Sequence, residues 1–351
     1  MDDGRARSRV RVPGGMADRA REHAAAGLPP AVPRDAATVI LVRPGAGGGG
    51  VEVFLLRRTE ALEFAPGAYV FPGGSVDERD AGPAIADAGW VGPAPAEIGR
   101  LLGISAGRAR ALVCAAVRET FEESGVLLAG PAPAELVADS VVPVEDRQHL
   151  LNGSLSLGGL LSRHGLALRA DLLTPWARWI TPEISPRRFD TWFFAALPPG
   201  QLAVLPAGQA GGSSPTRSER PGASPPPRSG RPGASSPPRS GRPGGSSPPR
   251  EVWGDGSPHE QGGSGGDRSP RGDRESDSGT WWRPIAALEA ARAGEITLLP
   301  PTAVTLAELA GYQDIAGVLA ERRVITPLIP TVVVEDGRTW LVMPQAVEYP
   351  L

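Results

Sequence analysis

RETFEESGV, from Arg118 to Val126, is the most informative segment of the chain. Ser105 can cap the start of a helix and Gly125 can end it, so the sequence predicts a helix over Ala106–Ser124. At 100° per residue, one half of this helix is apolar and is predicted to pack on the core. That half consists of Leu112, Val113, Ala116, Val117, Thr120 and Phe121.

Three glutamates lie on the opposite side of the predicted helix. Offsets of three and four residues return to the same face, so Glu119, Glu122 and Glu123 share an arc of about 100°. Arg118 precedes Glu122 by four residues, where an ion pair can hold that carboxylate in position. Crowded carboxylates repel one another, and a hard cation such as Mg²⁺ or Mn²⁺ removes that cost. A solvated acidic helix end is the alternative explanation.

The segment resembles the second half of the Nudix hydrolase box, R-E-hydrophobic-x-E-E-x-G-hydrophobic, with Thr120 where an aliphatic residue is usual. Upstream, YVFPGGSVD (69–77) resembles the strand and Gly-Gly loop that open the box. Gly74 and Arg118 are 44 positions apart, so roughly residues 78–108 are inserted within the box. The first Glu of the usual motif therefore has no secure match, and Asp80, six residues after Gly74, is given no role.

The resemblance extends to one subgroup of the family. The split box, with WITPEISPRRFDTWFF (179–194) and LLPPTAVTLAELA (298–310), is similar to the subgroup related to the peroxisomal coenzyme A diphosphatases of animals. This implies an α+β fold, a Nudix-like α/β/α sandwich with a mixed sheet. It also implies that Mg²⁺ or Mn²⁺ is bound by Glu119, Glu122, Glu123 and the backbone carbonyl of Gly74.

The resemblance also implies hydrolysis of a nucleoside diphosphate linked to another moiety, with coenzyme A or acyl-CoA as the leading substrate. NADH, ADP-ribose and nucleotide sugars are the alternatives, and a non-catalytic nucleotide-binding module is a second reading. Glu119 and Glu122 are predicted to be catalytic, with Glu119 or, alternatively, Glu183 as the general base. Four arginines are predicted to contact the substrate: Arg57, Arg58, Arg118 and Arg188. Solvated strand and loop ends are the alternative for most of them.

The chain divides by composition into folded and disordered parts. Residues 207–279 are rich in Pro, Gly, Ser and Arg, with an 11-residue unit repeated over 217–249, and are predicted to be a disordered insertion. Residues 1–34 are predicted to be a flexible tail. The Nudix domain would then consist of residues 35–206, containing the split box, and residues 280–351.

Periodicity predicts the regular elements of the folded parts. Strands are expected at 37–42, 51–57, 69–71, 176–181, 189–197 and 324–334. Helices are expected at 106–124, in parts of 144–163, and at 285–293, 303–310 and 315–323. GAGGGG (45–50) lacks the Lys-Ser/Thr of a phosphate loop and is predicted to be a hairpin turn.

Composition excludes several classes of protein. A lone Cys114 forms no intrachain disulfide and favours a reducing, cytoplasmic location, and it is predicted to be buried and inert. There is no apolar run of transmembrane length, and the net charge of -3 argues against a nucleic-acid partner. The expected partner is therefore a small-molecule nucleoside diphosphate, with no membrane, and a homodimer is left open.

Overall fold

A computed structural model gives the fold of the chain. It describes residues 9–11, 17–18, 21–22, 25, 27, 29–46, 49–62, 65–82, 89–131, 142–199, 276–336, 338–344 and 347–351. The chain separates into two compact units, 1–212 with 270–351, and 213–269. Most of the predicted insertion at 207–279, including all of the second unit, lies outside the described residues.

Fourteen strands are present in the described residues. They are β1 (Arg9–Arg11), β2 (Arg34–Pro44), β3 (Val51–Arg58), β4 (Tyr69–Val70), β5 (Gly73–Ser75), β6 (Trp90–Val91), β7 (Ala129–Gly130), β8 (Ala167–Arg169), β9 (Leu173–Ile180), β10 (Phe189–Ala196), β11 (Ser276–Trp282), β12 (Pro327–Leu328), β13 (Thr331–Glu335) and β14 (Arg338–Val342).

Seven α-helices and two 3₁₀ turns complete the described elements. The helices are α1 (Pro95–Leu102), α2 (Ala106–Ser124), α3 (Val144–Leu151), α4 (Leu157–Arg163), α5 (Pro284–Arg292), α6 (Pro300–Leu309) and α7 (Ile315–Ala320), and the 3₁₀ turns are Glu78–Ala81 and Ala170–Leu172. None of these helices combines the length and apolarity needed to cross a bilayer.

The main sheet is mixed and has β2 at its centre. Its strand order is β11-β3-β2-β10-β9-β12, with β4 paired to β3 and β5 paired to β2. β2 is parallel to β10 and antiparallel to β3 and β5. Four consecutive residues, Val39 to Val42, are fully buried, as expected for a strand covered on both faces. The predicted α+β fold with a mixed sheet is confirmed.

α2 has the predicted bounds and packs along β2. Ser105 Oγ accepts a hydrogen bond from the Arg108 backbone N–H (3.3 Å), and Gly125 ends the helix at a φ of 79°. The six residues predicted to face the core are all buried. The β2–β3 hairpin closes as predicted, since Gly45 N–H donates to the Gly50 carbonyl (3.0 Å).

Three segments differ from the prediction. Ser276–Gly279, placed in the disordered insertion, begins β11, because antiparallel pairing with β3 supplies its backbone hydrogen bonds without apolar side chains. Arg9–Arg11 of the predicted tail forms β1 beside β14. The strand predicted at 324–334 is divided between β12 and β13, with Pro327 and Pro330 near the break. Two small sheets, β1-β14-β13 and β6-β8-β7, accompany the main one.

Candidate active site

Arg118 lies at the centre of the acidic residues, with a side chain only 2% exposed. Its Nε and Nη2 donate to the two carboxylate oxygens of Asp80, each at 2.9 Å. Its Nη1 donates to Glu119 Oε1 (2.8 Å) and to Glu122 Oε2 (3.1 Å), and Nη2 also reaches the Ser75 carbonyl (3.0 Å). Burial acts to lower the pKa of Arg118, but the surrounding carboxylates outweigh it and raise that pKa, so the guanidinium stays charged.

Asp80, which had no predicted role, is part of the site. It belongs to the 3₁₀ turn that follows the Gly-Gly loop, and its side chain is 1% exposed. Asp77 caps this turn by accepting from the Arg79 backbone N–H (2.9 Å), while Asp80 Oδ2 accepts from the Asp77 N–H (2.8 Å). This reciprocal capping fixes the Asp80 carboxylate where it meets Arg118. Its spacing of six residues from Gly74 was the available signal.

Gly74 makes room for Glu119. A Cβ at Gly74 would lie 2.6 Å from the Glu119 carboxyl carbon and 2.6 and 2.7 Å from its two oxygens. Gly74 lies opposite Ala37 in the ladder between β5 and β2, so its backbone is fixed. The carboxylate therefore packs directly on the glycine backbone, and any side chain at position 74 would displace it.

Gly73 serves the site in a different way. Its N–H donates to Glu123 Oε2 (2.9 Å), which ties the last turn of α2 to the Gly-Gly strand. Its φ is +159°, and a Cβ there would lie 2.4 Å from the Ala37 carbonyl oxygen of β2. The pair of glycines thus brings β5 against β2 on one side and against the α2 carboxylates on the other.

The donor set suits a hard divalent cation. Glu119 and Glu122 accept bonds from a single nitrogen of Arg118, so their carboxylates lie side by side, and Glu123 lies beside the neighbouring Gly-Gly strand. All of these donors are oxygens, which Mg²⁺ and Mn²⁺ prefer. Within the described residues, no three acidic, histidine or cysteine side chains are already spaced as ligands of one ion.

The four arginines predicted to bind substrate occupy different environments. Arg57 bonds to Glu60 in an exposed pair at the end of β3. Arg58 lies beside it, partly buried, with its backbone bonded to Gly67 and Ala68. Arg188 is 8% exposed and donates to the Thr181 carbonyl (3.0 Å) and the Ala31 carbonyl (2.9 Å).

The exposure of Arg118, Arg188 and Arg57 bears on whether each can contact the substrate as predicted. Arg118 and Arg188 are directed into the protein, which favours positioning roles over contact with substrate. Arg57, with 37% of its side chain exposed, has the accessibility that a phosphate contact needs.

Glu183, the alternative general base, is exposed in the turn between β9 and β10. That turn leaves the sheet at the end where β2 begins, since Phe189 is paired with Arg34. Arg108, near the start of α2, lies at the same end, with its Nη2 2.8 Å from Asp190 Oδ2. Glu119 follows Arg108 by eleven residues in α2, so these two residues are about 16 Å apart along the helix axis.

Cys114 is fully buried in α2. Burial raises the pKa of its thiol to about 12, so almost no thiolate is present at neutral pH. The prediction that this thiol is buried is confirmed.

Part of the chain is similar in sequence to known proteins. Acyl-coenzyme A diphosphatase NUDT19 of Xenopus laevis is 28% identical over 189 residues, which are 41% of this chain and 46% of that protein. A putative nudix hydrolase 7 of Caenorhabditis elegans is 31% identical over 161 residues, 43% of this chain and 41% of that protein. The matched part thus spans about half the length of the curated relatives. No family model matches the chain.

The fold has a counterpart among solved structures. The crystal structure of a NUDIX hydrolase from Alicyclobacillus acidocaldarius matches 84% of this chain and 98% of its own, with a TM-score of 0.54 and 23% identity. That likeness supports the fold. The chain is therefore similar in sequence to Nudix hydrolases, an acyl-coenzyme A diphosphatase among them, and shares the fold of a solved Nudix hydrolase.

Proposed function

We propose that the protein is a metal-dependent hydrolase that cleaves the diphosphate of a nucleoside diphosphate linked to another moiety. The observation that carries the proposal is the meeting of Glu119 and Glu122 at one nitrogen of the buried Arg118. Solvated acidic side chains at a helix end have no need of a buried arginine beneath them. The arrangement therefore supports a preorganised acidic site over the alternative of an exposed helix terminus.

The charges of the site favour a cation. Asp80, Glu119 and Glu122 all bond to Arg118, so three carboxylates share one guanidinium. A divalent ion bound beside the helix glutamates would add positive charge to this acidic cluster. It would compete with Arg118 Nη1 for oxygens of Glu119 and Glu122, and with the Gly73 N–H for Glu123.

The protein groups have distinct roles in the proposed reaction. Glu119, Glu122, Glu123 and the Gly74 carbonyl would hold Mg²⁺ or Mn²⁺. When bound, the ion neutralises diphosphate oxygens and makes a water molecule more acidic for in-line attack on phosphorus. Arg118 keeps two of the carboxylates in place, and Arg57 would contact a phosphate. Glu119 would accept the proton of the attacking water, with Glu183 as the alternative.

Coenzyme A or an acyl-CoA is the proposed substrate. The name of the Xenopus laevis relative, an acyl-coenzyme A diphosphatase, supports this choice over other nucleoside diphosphate derivatives. NADH, ADP-ribose and nucleotide sugars carry the same diphosphate, so the box residues alone do not discriminate among them. The choice among these compounds must come from residues outside α2 and the Gly-Gly strand.

The test is hydrolysis by the purified full chain with Mg²⁺ or Mn²⁺. Coenzyme A, acyl-CoA, NADH, ADP-ribose and a nucleotide sugar are offered in parallel, and the phosphorylated products are identified. Glu122→Gln is expected to lose activity at least about a hundredfold, because an amide is a weaker cation ligand at similar volume. Glu289→Gln, on the exposed face of α5, is the matched control and should keep full activity.

Each outcome of this assay bears on one part of the proposal. Preference for a compound other than coenzyme A or its esters contradicts the substrate assignment and leaves the diphosphatase intact. Full activity in Glu122→Gln contradicts the role of that carboxylate. Binding of nucleotides without hydrolysis by the wild type supports the non-catalytic binding module instead.

A further inference from the structure

The end of α2 carries several negative charges and has no basic residue of its own in the last turn. The last four carbonyl groups of any helix lack intrahelical partners, and the helix dipole places further negative charge there. In α2 the same turn carries Glu122 and Glu123. Their negative charges add to that of the helix dipole, which destabilises this end of the helix. A last turn of this kind is expected to fray unless a group from elsewhere holds it.

Arg147 of α3 supplies that group. Its Nε donates to the Phe121 carbonyl (2.9 Å) and its Nη2 donates to the Glu122 carbonyl (2.8 Å). The Gly125 N–H also bonds to the Phe121 carbonyl (3.0 Å), so the backbone cap and the arginine converge on one oxygen. Two hydrogen bonds from the charged Arg147 guanidinium to consecutive carbonyls fix the backbone from which the Glu122 side chain extends.

The α3–α4 hairpin, residues 144–163, also contacts the other half of the site. Arg79, next to Asp80 in the 3₁₀ turn, donates from Nη1 to the Gly153 carbonyl in this hairpin (3.0 Å). Within the hairpin, Asp146 of α3 bonds to Arg163 and to His164 Nε2, which holds the two helices together. The hairpin therefore bonds both to the end of α2 and to the turn that carries Asp80.

We propose that Arg147 is a positioning residue for the carboxylate site, acting through the backbone of the last α2 turn. The role rests on the proposed function, because it concerns the affinity of that turn for a divalent cation. Without Arg147 the turn would be less ordered before a cation binds, and part of the binding free energy would be spent on ordering it. The cation affinity should then fall, while turnover at saturating cation should fall less.

The experiment compares the full-length wild type with Arg147→Gln, Arg147→Lys and the control Arg163→Gln. Arg163 bonds to Asp146 in the same hairpin and is 51% exposed, so its loss perturbs the hairpin without removing the contact with α2. Titration calorimetry with Mn²⁺ gives the dissociation constant without relying on activity. Hydrogen exchange of the segment 119–128 in the metal-free protein reports fraying of the helix end directly.

Arg147→Gln is expected to raise the Mn²⁺ dissociation constant on the order of tenfold and to speed exchange in segment 119–128. Arg147→Lys keeps the charge but not the paired donors of the guanidinium. Its dissociation constant and exchange rate should lie between those of Arg147→Gln and the wild type. The Mn²⁺ dissociation constant of Arg163→Gln should stay within about twofold of that of the wild type. This is well below the change expected when a supporting contact is lost.

Three results overturn the role of Arg147. These are an unchanged dissociation constant in Arg147→Gln, equal loss in Arg163→Gln, or unchanged exchange in segment 119–128. If Arg147→Gln does not fold, Arg147→Lys decides by the same measurements, and a constant equal to that of the wild type contradicts the role. A wild type that binds no Mn²⁺ is a different outcome, because it contradicts the proposed function itself and removes the basis of this role with it.

Discussion

Arg118 and Asp80 form a buried ion pair joined by two hydrogen bonds of 2.9 Å, although 38 positions separate them in the chain. Their side chains are 2% and 1% exposed. The pair fastens the turn after the Gly-Gly loop to the acidic end of α2. The Gly-Gly loop and the acidic end of α2 are thereby held together, although they are distant in the chain.

Asp80→Asn is expected to lower the free energy of unfolding by about 3 kcal/mol, because it leaves the buried Arg118 charge without its main partner. Urea denaturation at neutral pH measures the loss. Glu60→Gln breaks the exposed Arg57–Glu60 pair and serves as the control, with an expected cost below about 1 kcal/mol. Equal costs in the two variants would contradict the importance assigned to the buried pair.

Gly74→Ala should abolish most diphosphatase activity in a protein that still folds, since the new methyl group would meet the Glu119 carboxylate. Gly107→Ala, in the first turn of α2, is the control because a Cβ there has no neighbour within 4 Å. That change should leave activity intact and raise stability by about 0.5–1 kcal/mol. Activity is followed with the preferred substrate, and unfolding by circular dichroism. Normal turnover in Gly74→Ala would exclude the close contact with Glu119 as a requirement.

Asp190 should make the fold sensitive to acid. Burial raises its pKa, but hydrogen bonds and charges from Arg178 and Arg108 outweigh burial and hold the pKa below the ordinary value of 3.8. A lowered pKa contributes stability above 3.8, and that stability is lost as the pH falls from 3.8 through the folded-state value. Urea midpoints measured from neutral pH downward should therefore fall less steeply in Asp190→Asn than in the wild type. Parallel curves would contradict this assignment.

Two deletions distinguish the effect of losing the insertion from the effect of losing the start of β11. Removal of residues 213–269, the second compact unit, spares β11 and is expected to leave the melting temperature and turnover nearly unchanged. Removal of residues 207–279 also takes Ser276–Gly279, which pair with Leu56–Arg58 of β3, and should lower the melting temperature. Similar melting temperatures for the two deletions would show that the start of β11 adds nothing to the sheet.

Local signals in the sequence predicted the elements that build the site. Ser105 and Gly125 predicted the bounds of α2, because capping depends on residues adjacent in the chain. The alternation of apolar and turn-forming residues predicted β2 and β3 with their hairpin. The three helix glutamates could be placed together because helical geometry alone determines which residues share a face.

These local signals could not predict contacts between residues that are distant in the chain. Asp80 lies at a suggestive spacing from Gly74, yet only the folded chain shows that its carboxylate meets Arg118. Likewise, only the folded chain shows that the Arg188 guanidinium bonds to two backbone carbonyls. The start of β11 was missed because its pairing uses backbone groups, which every residue carries irrespective of composition.

The most direct test of the carboxylate site is the anomalous scattering of manganese in crystals soaked with Mn²⁺ near neutral pH. We expect a peak beside the last turns of α2, ligated by oxygens of Glu119, Glu122 and Glu123, with the Gly74 carbonyl facing the ion. Absence of a peak there, with Glu119 and Glu122 still bonded to Arg118 at saturating Mn²⁺, would exclude this metal site.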